Sequence, residues 1–205
     1  MTVRVKICGI TRLEDALEAV RLGADALGFN FWPGSSRFIA PAAARAIIAR
    51  LPPLATSVGV FVDPSHDEAT AAAAISGVQV IQLHGAETPL FCRAFQLPVL
   101  KAVAVGGPEA LAAAEPFAGL SGLLLDAPTA GHGGSGQPCH WPTARALAER
   151  GPVILAGGLT PGNVAEAIAA VRPYGVDVAS GVEQAPGQKE HQLLARFIRA
   201  AKESP

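Results

Sequence analysis

The chain has little charge, few aromatics and little cysteine, and each shortage excludes a class of function. Only 16% of its 205 residues are Asp, Glu, Lys or Arg, and the two signs nearly cancel to a formal net charge of −1. Lys and Arg are spread along the chain, so there is no basic patch of the kind that binds a polyanion. Neither nucleic acid nor an anionic membrane surface is an expected partner. Apolar residues make up 50% of the sequence, yet no run of them approaches the roughly 20 needed to cross a bilayer. The opening Met1-Thr2-Val3-Arg4-Val5-Lys6 lacks the apolar core of a secretion signal. A cytoplasmic location is therefore expected. Cys8, Cys92 and Cys139 are odd in number, far apart and in no CxxC pair, which argues against a disulfide framework or a structural zinc site. His132, Cys139 and His140 are near neighbours, but their spacing fits no usual metal motif. With no dinucleotide or P-loop motif either, no metal or cofactor is expected.

What is present is a repeating pattern. Nearly continuous apolar runs, as expected of strands covered on both faces, fall at Val3 to Cys8, Ala26 to Phe31, Ser57 to Val62, Val78 to His84, Val99 to Val105, Gly122 to Ala127, Val153 to Gly157 and Val176 to Ser180. Helix signals lie between them. Thr11-Arg12-Leu13-Glu14 and Ser65-His66-Asp67-Glu68 read as capping boxes, and Thr160-Pro161 as an N-cap followed by proline at the first helical position. Eight such units, at about 25 residues each, predict one α/β domain closed as a (β/α)8 barrel rather than an open doubly wound sheet. At this length about 70% of the unfolded chain's surface can be buried, so one core suffices. The Gly-rich stretch from Pro128 to Pro138 after the sixth strand reads as a lid or substrate contact. The oligomeric state is left open, a homodimer included.

Barrels of this kind assemble their chemistry at the C-terminal ends of the strands. The polar residues there are Cys8, Asn30, Asp63, His84, Asp126 and Ser180, with Arg37 in the second loop. Gly157-Gly158-Leu159 and Ser180-Gly181-Val182 follow the last two strands, where bare backbone can approach a phosphate. Glycines that merely shape tight turns are the plainer explanation of either motif alone, and their joint placement favours phosphate. A lone Cys among Val and Ile is ordinarily a small core residue. At a strand end before Gly9, however, Cys8 is placed to act as a base or nucleophile. Asp126 closes the run Leu123-Leu124-Leu125 and is followed by Pro128 instead of a helix, which favours proton donation over capping. The Arg37 guanidinium is suited to a substrate carboxylate. His84, Asp63 and Asn30 read as supporting groups.

Together these segments resemble the phosphoribosylanthranilate isomerase family along the whole chain. The matching motifs are Val5-Lys6-Ile7-Cys8-Gly9-Ile10-Thr11, Gly28-Phe29-Asn30-Phe31 with Ser36-Arg37, Gly59-Val60-Phe61-Val62, Gln82-Leu83-His84-Gly85, Leu125-Asp126, Leu155-Ala156-Gly157-Gly158-Leu159 with Asn163-Val164, and Asp177-Val178-Ala179-Ser180-Gly181-Val182-Glu183. The resemblance implies Cys8 as general base, Asp126 as general acid and Arg37 on the anthranilate carboxylate. Gly157, Gly158, Leu159, Ser180 and Gly181 would bind the phosphate of a small phosphorylated aminosugar. The implied reaction is the cofactor-independent Amadori rearrangement of phosphoribosylanthranilate in tryptophan biosynthesis. The chain departs from the family after strand six, reading Gly133-Gly134-Ser135-Gly136 for Gly-Gly-Thr-Gly and Cys139-His140-Trp141 for Phe-Asp-Trp. Two rivals rank behind it. One is the histidine-pathway isomerase, which resembles paired half-barrels with Asp on strand one. The other is a non-catalytic phosphate sensor, which would need the glycines but neither Cys8 nor Asp126.

Overall fold

Strands in which both faces are apolar need cover on both sides, and the chain supplies it by closing the sheet and ringing it with helices. The computed structural model describes residues 2–128 and 139–204. Eight parallel strands run β1 (Arg4–Cys8), β2 (Ala26–Asn30), β3 (Thr56–Phe61), β4 (Val80–Leu83), β5 (Val99–Ala104), β6 (Gly122–Asp126), β7 (Val153–Leu155) and β8 (Gly175–Val178). They pair in sequence order, and β8 returns to β1 through Arg4 to Ile7 against Gly175 to Val178. The helices between them are α1 (Leu13–Leu22), α2 (Pro41–Ile48), α3 (His66–Ser76), α4 (Pro89–Cys92), α5 (Ala110–Ala114), α6 (Trp141–Ala148), α7 (Val164–Val171) and α8 (His191–Lys202). This is the (β/α)8 barrel the strand spacing predicts.

In β1, Val5 and Ile7 are fully buried on the outer face, where α8 packs against the strand. On α8, Leu194, Phe197, Ile198 and Ala201 recur at the i, i+3, i+4, i+7 spacing that makes one apolar stripe, and all four are buried. Each large side chain so buried stabilises the fold by roughly 1.5–3 kcal/mol. The alternate residues of β1, Lys6 and Cys8, share the inner face and point into the barrel.

The structure corrects several local readings. Ser65 and Glu68 do form a reciprocal capping box on α3. Thr11 does not cap α1: that helix begins after Arg12, which makes no side-chain cap, and the Thr11 hydroxyl donates to the Gly187 carbonyl. A long-range acceptor has displaced the local partner. Thr160 does open the turn that leads into α7: its Oγ1 accepts the Gly162 amide at 3.2 Å and its carbonyl accepts the Val164 amide at 3.1 Å, although the regular helix starts only at Val164. Asn163 braces the same turn, accepting the Thr160 amide at 2.8 Å and donating to the Gly158 carbonyl at 3.0 Å. Strand β7 stops at Leu155 rather than Gly157, because Gly157 and Gly158 turn left-handed at φ of 80° and 59°. Strand β8 ends at Val178, before a 3-10 turn at Ser180–Val182. A short antiparallel pair, β9 (Glu183–Ala185) and β10 (Gln188–Lys189), was not legible in the pattern. Most of the stretch from Pro128 to Pro138, with His132 and Gly133 to Gly136, lies outside the described residues.

Candidate active site

Closure of the barrel brings the strand ends together. A cavity of about 60 Å³ is lined by Asp126, Gly157, Gly158, Asp177, Ser180 and Gly181, among others. The turns after β7 and β8 thus meet at the inner carboxylates of β6 and β8. Both turns require glycine for steric reasons as well. A methyl group on Gly181 would lie 2.0 Å from the Leu159 carbonyl oxygen, and one on Gly157 would lie 2.8 Å from the Ala127 amide nitrogen. Turn shape and a backbone-lined cavity are therefore one construction. Larger recesses lie elsewhere: about 480 Å³ beside α5 and α6, and about 310 Å³ at the opposite end of the barrel. Neither is lined by Cys8, Arg37 or Asp126.

Among the described residues Asp126 caps no helix. Its Oδ1 accepts from the Ala127 amide at 2.8 Å, and Oδ2 lies 3.3 Å from His84 Nε2. On the other side of the imidazole, Gln82 Nε2 and His84 Nδ1 lie 3.2 Å apart, so the carboxamide orients the ring that faces Asp126. Gln82 Oε1, although buried, has no hydrogen-bond partner among the described residues. His84, expected only as a supporting group, thus contacts Asp126 directly, and Gln82 is a participant the sequence reading missed.

Cys8 is partly exposed at the end of β1. Lys6, two residues earlier and on the same face, is 3% exposed, and its Nζ sits 2.8 Å from Asp177 Oδ1. Register makes this pair possible, since Lys6 and Asp177 are direct neighbours across β1 and β8. Burial pushes the Cys8 thiol up, Lys6 pulls it down, Asp177 pushes it up again and Lys189 pulls it down; the balance is above the ordinary thiol value. Two lysines, Lys6 and Lys189, are thus the cations beside Cys8.

Arg37 is already engaged. Its Nη2 donates to Glu183 Oε2 at 2.7 Å and its Nε to the same carboxylate at 3.0 Å. Glu183 also accepts from Lys189 Nζ at 2.7 Å, and that ammonium donates to the Cys8 carbonyl. Burial drives the Lys189 proton affinity down despite Glu183. Asn30 shapes the loop: Nδ2 donates to Ser35 Oγ at 3.0 Å, and Ser35 Oγ accepts the Arg37 amide at 3.1 Å. Gly9, at φ 78°, lets the Arg37 side chain cross it, since a methyl there would lie 2.5 Å from Arg37 Cδ. Lys6, Asp177, Glu183 and Lys189 were not assigned from the sequence, although a lysine inside an apolar strand was a readable signal.

Asp63, at φ 45°, accepts the Ala86 amide at 2.6 Å, while its own amide donates to Glu87 at 3.0 Å. Glu87 pairs with the buried Lys101 at 3.0 Å. Asp63 therefore pins the loops after β3 and β4 together, a supporting role. His140, which replaces the family's usual Asp, is the N-cap of α6: its Nδ1 accepts the Thr143 amide at 3.4 Å and lies 2.8 Å from Thr143 Oγ1. An aspartate is among the best residues for that role, which accounts physically for the exchange. No group of three or more His, Cys, Asp and Glu side chains among the described residues is placed to hold a metal ion.

A family profile described as N-(5'phosphoribosyl)anthranilate (PRA) isomerase matches residues 5–200. The chain belongs to the N-(5'-phosphoribosyl)anthranilate isomerase family. A relative of that name from Geobacter sp. (strain M21) is 50% identical over 97% of this chain and 98% of its own. A crystal structure of a phosphoribosylanthranilate isomerase in complex with reduced 1-(o-carboxyphenylamino)-1-deoxyribulose 5-phosphate superposes with a TM-score of 0.89. It is 42% identical and covers 98% of both chains. Mutually generated monomers of the dimeric Thermotoga maritima enzyme also match at a TM-score of 0.89, with 41% identity and 98% of each chain covered. Membership makes the chain an isomerase of tryptophan biosynthesis, an intramolecular oxidoreductase. It sets aside both the histidine-pathway enzyme and the sensor. No described helix is long and apolar enough to cross a membrane.

Proposed function

We propose that this chain rearranges phosphoribosylanthranilate to 1-(2-carboxyphenylamino)-1-deoxyribulose 5-phosphate with Asp126 as acid and Cys8 as base. Asp126 gives its proton to the furanose ring oxygen, the C1′–O bond breaks, and the nitrogen lone pair forms a Schiff base. The Cys8 thiolate then removes the C2′ proton, and the electron pair moves toward nitrogen to give an enolamine. This tautomerises to the ketone. Oxidation at C2′ balances reduction at C1′ within one molecule, so no external redox partner enters. The phosphate lies on the backbone of the Gly157–Gly158–Leu159 and Ser180–Gly181 turns. The anthranilate carboxylate meets Arg37 through Nη1, the nitrogen not used by Glu183 in the bonds above.

The observation that carries this reading is the shared cavity: Asp126 and the glycine turns after β7 and β8 line one space. The test is loss of the fluorescent substrate by purified protein. Asp126→Asn should lose about 10²-fold or more in turnover, and Cys8→Ser a similar factor, with the fold intact. Near-normal turnover of either folded variant would remove that residue from the scheme.

A cytoplasmic, homodimeric enzyme is the assembly this reading favours. Leu54 is 93% exposed and borders the recess at the opposite end of the barrel with Tyr174, Val58 and Leu100, an apolar face that a second copy would cover. Sedimentation of Leu54→Glu should give a monomer where the parent gives a dimer. Equal masses would refute this contact.

A further inference from the structure

The ion pair beneath Cys8 has no part in the acid–base scheme, yet its position matters to it. A methyl group on Gly28 would lie 2.8 Å from Cys8 Sγ and 3.1 Å from Lys6 Nζ, so thiol and ammonium crowd the same point above that glycine. Lys6 cannot turn away. It is 3% exposed and tied to Asp177 at 2.8 Å, with β1 and β8 fixing both ends in register. We propose that Lys6 is a positioning residue for the base, supplying the fixed positive charge that lets Cys8 exist as a thiolate, with Asp177 holding that ammonium in place. The inference deepens the proposed function and rests on its reading of Cys8.

The charges that face Cys8 come from three sides. Lys6 stands on β1 and Asp177 on β8, Lys189 ends β10, and Arg37 overhangs from the loop after β2. Lys189 and Arg37 share the single carboxylate of Glu183, which offsets one of their two positive charges. Burial alone would strip the proton from Lys6, but Asp177 and then Cys8 itself hold its proton affinity above the ordinary lysine value, so the charge persists. A charge of opposite sign within ~4–6 Å moves a titration midpoint by roughly one to three pH units. Removing it should therefore cut the thiolate fraction near neutral pH by about tenfold or more.

The experiment uses full-length protein with Cys92 and Cys139 replaced by Ser, so that Cys8 alone reports. Thiolate absorbance and the rate of alkylation by iodoacetamide are followed against pH. Lys6→Gln should raise the Cys8 midpoint by at least one pH unit and move the acid limb of kcat/KM by the same amount, while Lys6→Arg should restore both. General disturbance of the barrel would not be repaired by Lys6→Arg, which returns only the charge. If Lys6→Gln does not fold, Lys6→Met, of similar length, is the neutral variant. An unmoved thiol titration in the folded neutral variant, or a raised one that Lys6→Arg fails to restore, overturns the proposal whatever the activity. A folded, active Cys8→Ser enzyme instead overturns the reading of Cys8 as base, and the two failures are separable because the thiol titration needs no turnover.

Discussion

Gly157→Ala tests whether the phosphate turn and the acid are one mechanical unit. At φ 80° the backbone is left-handed, which costs an alanine about 1–2 kcal/mol. The new methyl would also lie 2.8 Å from the Ala127 amide nitrogen and 2.9 Å from Asp126 Oδ1. Backbone on one side cannot yield cheaply, so the Asp126 carboxylate must move by several tenths of an ångström. Overpacking of this kind adds roughly 1–3 kcal/mol. At about 2–4 °C per kcal/mol for a chain of this size, Tm should fall by roughly 4–20 °C. Misplacement of a reacting group by ~1 Å costs up to about 10²-fold, so kcat should drop by ~10- to 10²-fold and KM should rise as the phosphate turn opens. The assay is steady-state turnover of the fluorescent substrate beside circular dichroism at the same temperature. Gly151→Ala, where a methyl meets nothing within 4 Å, is the comparison and should leave Tm and kcat unchanged. A folded Gly157→Ala enzyme with kcat within about threefold of the parent would refute the mechanical link.

Arg37→Ala should weaken binding chiefly for ligands that carry the anthranilate carboxylate; equal losses for a carboxylate-free analogue, measured by calorimetry, would sink that assignment. It also leaves Lys189 as the one cation on Glu183, so Arg37→Lys, which keeps a charge but not the fork, should restore little. Cys139 is pushed up to about 12 by burial and by Asp126, so mass spectrometry at neutral pH should find it unmodified while Cys8 reacts, and rapid labelling would contradict that environment. Burial would raise the Asp25 carboxyl, but Lys202, Arg4 and the Val5 amide outweigh it and hold it low. Its stabilising contribution is therefore present at neutral pH and lost as pH falls below the ordinary Asp range near ~4. In a series of melting curves Asp25→Asn should flatten that acid limb, and an unchanged limb would refute the link. His140→Ala should cost about 1 kcal/mol of stability and His140→Asp should recover it, judged by denaturant midpoints; no loss in the alanine variant would remove the cap.

The sequence by itself determined the barrel, because strands covered on both faces leave continuous apolar runs whose spacing needs no long-range information. It also placed Cys8 and Asp126 at the ends of their strands and the two glycine turns beside β7 and β8, although it ran both of those strands two residues too far. Capping was legible at Ser65, where both partners lie within one turn of helix. It was misread at Thr11, whose hydroxyl finds the Gly187 carbonyl instead, a contact between residues far apart in the chain. Lateral register is likewise a property of the closed sheet, and only it placed Lys6 beside Asp177 and under Cys8. The same closure set His84 against Asp126 and brought Glu183 across to Arg37. Residue type and periodicity state what each side chain can do, but a buried charge must be paired across neighbouring elements, and which elements are neighbours is fixed only when the barrel closes.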